Sequence, residues 1–182
     1  MAHMEKEDKI TKSKNNHKRT ASIKLILLLL KLLIALFVYL VFFRLVFGIT
    51  RMDSPSMSPT INEGELLMVF RLEPKYDIGD VVIIKKNNKT QILRIVATEG
   101  QIVSISKDNT LLVDGVPEDH LVFYNTKANE KSDIKFPYEV ESGKFFVLND
   151  YRLTADDSRE YGTITKEDIK GKVIGKLQVR DI

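Results

Sequence analysis

Two serines separated by a single residue, Ser54 and Ser56, are the residues of this chain whose types and spacing could do chemistry. They stand in the run Asp53-Ser-Pro-Ser-Met-Ser-Pro-Thr60, soon after a long hydrophobic segment. A serine hydroxyl attacks a carbonyl only when a base takes its proton, and the oxyanion that forms needs a hydrogen-bond donor. Two serines this close together could supply a nucleophile and a donor between them. The question is then whether the chain also carries a base.

The hydrophobic segment covers residues 23–49 and is long enough to span a membrane as a helix. Lys31 and Arg44 interrupt it thirteen residues apart, a rise of about 20 Å, so each side chain can extend towards its own interface. A cleaved secretory signal is the alternative, but such a signal has a shorter apolar region followed by small residues at a cleavage site. We therefore predict a single transmembrane helix over 23–49.

Residues 1–22 are polar, rich in lysine and without apolar periodicity, which predicts a disordered basic tail. We expect the natural chain to start at Met4. Basic segments stay on the cytoplasmic side of a membrane, so we expect a cytoplasmic N-terminus and an extracytoplasmic domain over 50–182, at the plasma membrane. No aromatic residues interleave with the basic ones, which argues against nucleic acid as a partner.

Residues 50–182 are predicted to form a mostly β domain, because short apolar, β-branched runs alternate with turn residues. The chain has no cysteine, which excludes disulfides and thiolate metal sites. Nothing in the sequence demands a metal or an organic cofactor, and we expect none. The predicted strands are 66–70, 81–84, 91–97, 101–106, 111–113, 144–148 and 172–179.

The serine run is followed, in order, by Arg94-Ile-Val and Asp157-Ser-Arg159, and this succession resembles the type I signal peptidases of the Gram-positive type. The resemblance runs from the hydrophobic segment to near the C-terminus, and it implies a coiled β-sheet barrel. It assigns the nucleophile position to Ser56 and the oxyanion position to Ser54. Asp157 and Arg159 match an ion pair that braces the site, although a solvated surface pair is the alternative for these two residues.

The resemblance also identifies two positions at which the catalytic pattern is broken. The family's base is a lysine immediately before the arginine that matches Arg94, and this position is Leu93, which cannot accept a proton. The family's serine that orients this lysine is matched by Ala155. Three other lysines precede the strand on a polar turn, where we expect them to be solvated and protonated: Lys85, Lys86 and Lys89.

Three functions remain open at this point. The preferred one is a signal peptidase-like protein without efficient proteolysis, which binds exported preproteins or pilin subunits as extended peptides and assists pilus or surface-protein assembly, with a sortase as a candidate partner. The second is an active signal peptidase I that cleaves signal peptides with Ser56 as the nucleophile. The third is a serine protease whose base comes from another protein. Loss of a general base costs about 10²–10⁴-fold in rate, which favours the first.

Overall fold

The structure is a computed structural model that describes residues 2–73, 75–86, 88–118 and 124–177, with side chains from Lys24 onward. It divides into two compact units, Met1–Leu45 and Val46–Ile182. The first unit belongs to a single helix, and the second contains every strand.

Helix α1 covers Ala2–Val46. Its part Lys24–Val46 has a mean hydropathy of 3.0 and is long and apolar enough to cross a membrane. The prediction of a disordered tail is wrong, because the backbone from Ala2 to Ser22 is helical and belongs to α1. The reason is local, because lysine, glutamate and alanine favour helix and no glycine or proline occurs before Gly48.

Helix α1 also ends three residues before the boundary that the apolar composition indicates. Phe47, Gly48 and Ile49 belong instead to a strand that pairs in antiparallel register with residues 68–70. Pairing satisfies the backbone groups of these residues, and their side chains suit a strand as well as a helix.

The strands form two antiparallel sheets, so the predicted mostly β fold with an N-terminal apolar helix is confirmed. In the larger sheet the strand order is β1-β2-β11-β3-β4-β9-β10, and in the smaller one β7-β6-β5-β8. The larger sheet contains β1 Phe47–Arg51, β2 Leu66–Phe70, β3 Val81–Lys86, β4 Lys89–Thr98, β9 Lys144–Leu148, β10 Ile164–Thr165 and β11 Ile169–Leu177. The smaller one contains β5 Ile102–Ile105, β6 Leu111–Val113, β7 Val116–Pro117 and β8 Tyr138–Glu139.

Two of the buried apolar clusters position the segments that carry the candidate site. One lies between β3, β4 and β9 and includes the fully buried Leu93. Another holds the serine run, because Met52 and Met57, on either side of Ser54 and Ser56, are buried together with Ile61 and Leu67. Short helical turns complete the chain: 3₁₀ turns at Pro55–Met57 and Lys166–Asp168, and helix α2 at Ser158–Tyr161.

Candidate active site

The two serines meet at the start of the Pro55–Met57 turn. Ser54 occupies the N-cap position of this turn in an extended conformation, and its Oγ lies 3.0 Å from Oγ of Ser56. Proline is well suited to the first position of a helical turn, because it has no N–H to satisfy there. The backbone N–H of Tyr151 donates to the carbonyl of Ser56 at 2.9 Å, which fastens the turn to the loop after β9. The carbonyl of Ser56 is therefore fixed by Tyr151, and its hydroxyl lies next to that of Ser54.

The serines open onto a cleft of about 520 Å³. Strand β1 is an edge strand of the larger sheet, and its last residues form one wall of this cleft. An exposed strand edge next to a cleft can bind an extended peptide by adding it to the sheet. The other walls come from the β3–β4 hairpin and from the loop after β9. The lining residues are Thr50 to Ser56, Ile83, Lys89 to Ile92, Asn149, Thr154 and Asp156.

Leu93 does not line the cleft. It pairs with Val82 and is 0% exposed, packed in the cluster between β3, β4 and β9. Alternation along β4 places Leu93 on the same face as Gln91, which does line the cleft. The Gln91 amide donates to the carbonyl of Asp156 at 2.9 Å and accepts from the Tyr161 hydroxyl at 3.2 Å. Leu93, which the resemblance matches to the family's base, is thus an apolar side chain in a closed core.

Lys86 is the first of the nearby lysines to test as an alternative base. Its ammonium group donates to the carbonyl of Thr163 at 2.9 Å and lies 4.7 Å from the centre of the Tyr161 ring. Burial lowers the pKa of Lys86 below its ordinary value. The expectation that this side chain is fully solvated is therefore wrong, because the Tyr161 ring of α2 and the Thr163 carbonyl cover part of it. It is nevertheless not among the residues that line the cleft.

Lys89 has the opposite combination of properties. It lines the cleft together with Ser56, but its side chain is 69% exposed and its Nζ lies 3.6 Å from a carboxylate oxygen of Asp156. A lysine acts as a base when burial favours its neutral form. Lys86 is thus partly buried but outside the cleft, whereas Lys89 lines the cleft but is exposed. Lys85 is exposed on β3 and is not a lining residue either.

Asp157 and Arg159 form a buried ion pair behind the cleft. Their side chains are 0% and 1% exposed, and the guanidinium donates to the carboxylate at 2.7 and 2.9 Å. Asp157 also caps α2 by accepting from the backbone of Arg159, and it accepts twice from Asn149. Arg159 in turn donates to the carbonyls of Arg152 and Thr154. The pair therefore fixes the loop from Asn149 to Asp156, in which Ala155 is half-buried.

Two further arginines, the partly buried Arg94 and the fully buried Arg152, were not expected to hold this loop. Arg94 donates to Asp150 at 2.8 and 2.5 Å, which fixes β4 against the loop at the residue next to Leu93. Arg152 donates to both carboxylate oxygens of Glu118, at 2.7 and 2.8 Å, and so ties the loop to the end of the smaller sheet. Glu118 lies 34 residues away in a segment without a motif, so no pattern in the sequence indicates this pair.

Metal binding has little support in the cleft. Its carboxylates come from Asp53 and Asp156. Within the part of the chain that the structure describes, no group of three or more histidine, cysteine, aspartate or glutamate side chains is arranged to hold a metal ion. The chemistry available to these residues is that of two hydroxyls, a strand edge and an exposed lysine–aspartate pair.

The chain is similar to known proteins over most of its length. The family described as "Signal peptidase, peptidase S26" matches residues 23–177. "Signal peptidase I" of Bacillus licheniformis is 32% identical over 178 residues, covering 91% of this chain and 90% of that protein. "Inactive signal peptidase IA" of Staphylococcus aureus (strain Mu50) is 30% identical over 124 residues, covering 64% of this chain and 71% of that protein.

A solved structure is also similar, a signal peptidase I from Enterococcus faecalis V583. It is 24% identical with a TM-score of 0.47, covering 54% of this chain and 97% of that one. The family match extends from the apolar helix to β11 and includes the serine run and the loop behind it. The chain therefore belongs to the signal peptidase family, peptidase S26.

Proposed function

We propose that this protein binds extended segments of exported proteins without cleaving them efficiently, and that it acts as an accessory protein or chaperone in pilus or surface-protein assembly. One observation carries the proposal. Leu93, which the resemblance matches to the family's base, is fully buried in the core, while Ser54 and Ser56 line an open cleft. The cleft can therefore bind a peptide, but the position matched to the base cannot accept the proton of Ser56.

The chemistry of Ser56 supports the loss of efficient turnover. Its hydroxyl lies within hydrogen-bond distance of Ser54, which can donate to an oxyanion but cannot store the serine proton. Lys89 reaches the cleft as an exposed side chain beside Asp156, and Ala155 has no hydroxyl to orient an amine. Without a general base we expect a rate about 10²–10⁴-fold below that of an equivalent site with one.

The cleft supports the choice of ligand. The free edge of β1 offers backbone hydrogen bonds to an extended chain, and Ile83 and Ile92 offer apolar contacts for its side chains. Exported preproteins and pilin subunits supply such segments, and a sortase is the candidate partner that would act on the bound client. The relative named "Inactive signal peptidase IA" supports a non-proteolytic role within the family.

The proposed location follows from α1. Its segment Lys24–Val46 would span the plasma membrane once, with the lysine-rich N-terminus in the cytoplasm. Residues from Phe47 onward would then be extracytoplasmic, where exported chains emerge. The hydropathy of the helix and the distribution of basic residues support this topology.

An active signal peptidase I is the second candidate, and two observations favour it. The hydroxyls of Ser54 and Ser56 lie within hydrogen-bond distance in an open cleft, and Lys89 lines the same cleft. The B. licheniformis relative is named "Signal peptidase I". On this alternative Ser56 attacks the carbonyl before the scissile bond, and Lys89 or a partner's residue takes its proton.

The two candidates are separated by a cleavage assay on a preprotein, with the full chain in lipid vesicles. We compare wild type with Ser56→Ala, and each of these with Leu93→Lys, Ala155→Ser and the double substitution Leu93→Lys/Ala155→Ser. We expect wild type to match Ser56→Ala, and the double substitution to gain activity that disappears when Ser56 is replaced. Binding of the uncleaved preprotein should be similar in wild type and Ser56→Ala.

Cleavage by wild type that is lost in Ser56→Ala would refute the proposal. Lys89→Met then tests the alternative base, with Lys86→Met as its matched control outside the cleft. If the wild type neither cleaves nor binds the preprotein, the chaperone role fails as well. Circular dichroism of each variant shows whether an inactive protein is still folded.

A further inference from the structure

We propose that Asn149 and Gln91 bind a carboxamide side chain of the client, that of an asparagine or a glutamine residue. The inference rests on the proposed function and adds to it the class of residue that the bound segment carries. Both residues line the cleft that contains Ser56. They come from different elements, because Gln91 belongs to β4 and Asn149 to the loop after β9.

Asn149 presents a buried acceptor without a donor. It is 3% exposed, and its Nδ2 donates to the carbonyl of Asp156 at 3.4 Å and to the carboxylate of Asp157 at 3.3 Å. Both partners can only accept, so the nitrogen must face them and Oδ1 must lie on the other side of the amide. Among the residues that the structure describes, none donates a hydrogen bond to this oxygen. Buried polar atoms normally have a partner, so an open acceptor on a residue that lines a cleft indicates a ligand that donates.

The backbone of Asn149 is fixed as well as its amide nitrogen. Its N–H donates to the carboxylate of Asp157 at 3.1 Å, and its carbonyl accepts from Nε of Arg152 at 2.7 Å. The side chain therefore cannot turn to find a partner for Oδ1 without breaking its bonds to Asp156 and Asp157. An acceptor that is already held in place binds a ligand at a smaller entropic cost.

Gln91 presents the complementary donor. Its Nε2 donates to the same carbonyl of Asp156 at 2.9 Å, and its Oε1 accepts from the hydroxyl of Tyr161 at 3.2 Å. Burial raises the pKa of Tyr161 above its ordinary value, so this hydroxyl stays protonated and holds the amide in one orientation. Nε2 carries two hydrogens, and within the described part of the chain only one of them has a partner. The second hydrogen is available to a ligand.

The open acceptor and the open donor belong to neighbouring amides, because both amide nitrogens bind the same carbonyl oxygen. A carboxamide offers the complementary pair, an N–H and a C=O on separate atoms. A carboxylate has no hydrogen to donate to Asn149. An aliphatic side chain would leave the buried acceptor unpaired, which is unfavourable. The arrangement therefore selects an amide over an acidic or an apolar side chain.

The burial of Asn149 favours a side chain of the client over its main chain. In the proposed function the main chain pairs with the free edge of β1, where its hydrogen bonds provide affinity. Successive side chains of an extended segment point to opposite faces, so those on one face enter the cleft. Such a side chain is the part of the client that reaches a buried group, and it provides specificity.

The test measures, by fluorescence anisotropy, how tightly the full chain in detergent binds a short tagged host peptide of alanine and glycine. Its single variable residue is asparagine, glutamine, leucine, aspartate or threonine, and all the peptides share one main chain. A difference between them therefore reports the side chain alone. We expect the better of the two carboxamides to bind about tenfold more tightly than leucine or aspartate, since each of two hydrogen bonds contributes about threefold.

Two variants remove the two groups one at a time. Gln91→Met keeps the size of the side chain but removes the donor, and it should lower the preference for a carboxamide over leucine about threefold. Asn149→Ala should do the same, and circular dichroism checks its fold because it also loses the bond to Asp157. Gln101→Met is the matched control, since Gln101 is another partly buried, hydrogen-bonded glutamine but does not line the cleft. It should leave the preference unchanged.

Equal binding of the carboxamide and leucine peptides by wild type would overturn the proposal. A preference that survives in folded Gln91→Met and Asn149→Ala, or that is lost equally in Gln101→Met, would overturn it too. If the threonine peptide binds as tightly as the better carboxamide, the site binds a hydroxyl and the assigned class is wrong.

The preprotein of the cleavage assay separates this inference from the function on which it rests. If the preprotein binds and the host peptides show no preference, the carboxamide site alone fails. If neither the preprotein nor any host peptide binds, the proposed function fails together with this inference.

Discussion

Replacing Asp157 by asparagine should destabilise the β domain strongly, although Asp157 lies behind the cleft and not in it. The carboxylate is fully buried and accepts hydrogen bonds from Arg159 and Asn149, including two from the guanidinium. Asparagine preserves the shape but leaves the buried guanidinium without its counter-charge. Removing one partner of a buried pair costs about 3–5 kcal/mol in the free energy of unfolding.

The adjacent residue provides a matched control. Asp156→Asn also removes one negative charge, but its pair with Lys89 has exposed side chains, and such pairs contribute about 0–1 kcal/mol. With a urea dependence of about 2 kcal/mol per molar, the midpoint should fall by about 2 M for Asp157→Asn and by no more than about 0.5 M for Asp156→Asn.

Urea unfolding of the full chain in detergent, followed by circular dichroism of the strands, measures both midpoints. A further substitution of Arg159→Met in Asp157→Asn should recover part of the loss, because it removes the unpaired charge. If Asp157→Asn and Asp156→Asn shift the midpoint equally, the ion pair does not hold the loop in the way its burial indicates.

Two other predictions concern the larger sheet and the turn before β9. The hydroxyl of Thr163 donates to Glu141 at 2.7 Å and lowers the pKa of this carboxylate below its ordinary value. The stabilisation of the fold by this hydrogen bond is therefore complete above about pH 4.3 and is lost as pH falls through the folded-state pKa of Glu141. In an NMR titration, Thr163→Val should raise the pKa of Glu141. An unchanged pKa would contradict the assignment. Gly171→Ala should destabilise the sheet by about 1–3 kcal/mol in thermal unfolding, because its Cβ would lie 2.5 Å from Cγ1 of Val69 and 2.9 Å from the carbonyl of Phe70. A melting temperature equal to that of wild type would show that β2 and β11 can separate locally.

The sequence indicates the parts of this molecule that depend on local pattern. Alternating β-branched runs predict the strands of the larger sheet, and the spacing of Ser54 and Ser56 predicts their meeting as a pair. The end of α1 could not be predicted in this way, because Phe47 to Ile49 are as apolar as the helix before them. Only pairing with β2, about twenty residues further on, decides between helix and strand at that point.

The environment of individual side chains was harder to predict. Lys86 lies on a polar turn by sequence, yet its ammonium is covered by Tyr161 and Thr163 from more than 70 residues away. The partnership of Glu118 with Arg152 depends in the same way on a contact between the two sheets. Such contacts follow from the arrangement of the sheets, and no short pattern in the chain records them.

The burial of Leu93 has a consequence for how a protein of this kind can evolve. A lysine introduced at this position would place an ammonium group among apolar side chains, and Ala155 could not supply the hydroxyl that would orient it. A serine introduced first at Ala155 would have no amine to orient and so would confer no advantage. On the proposed function, in which the cleft has no other base, each single step towards a working base is therefore neutral or harmful. Selection would then act on the cleft as a binding surface.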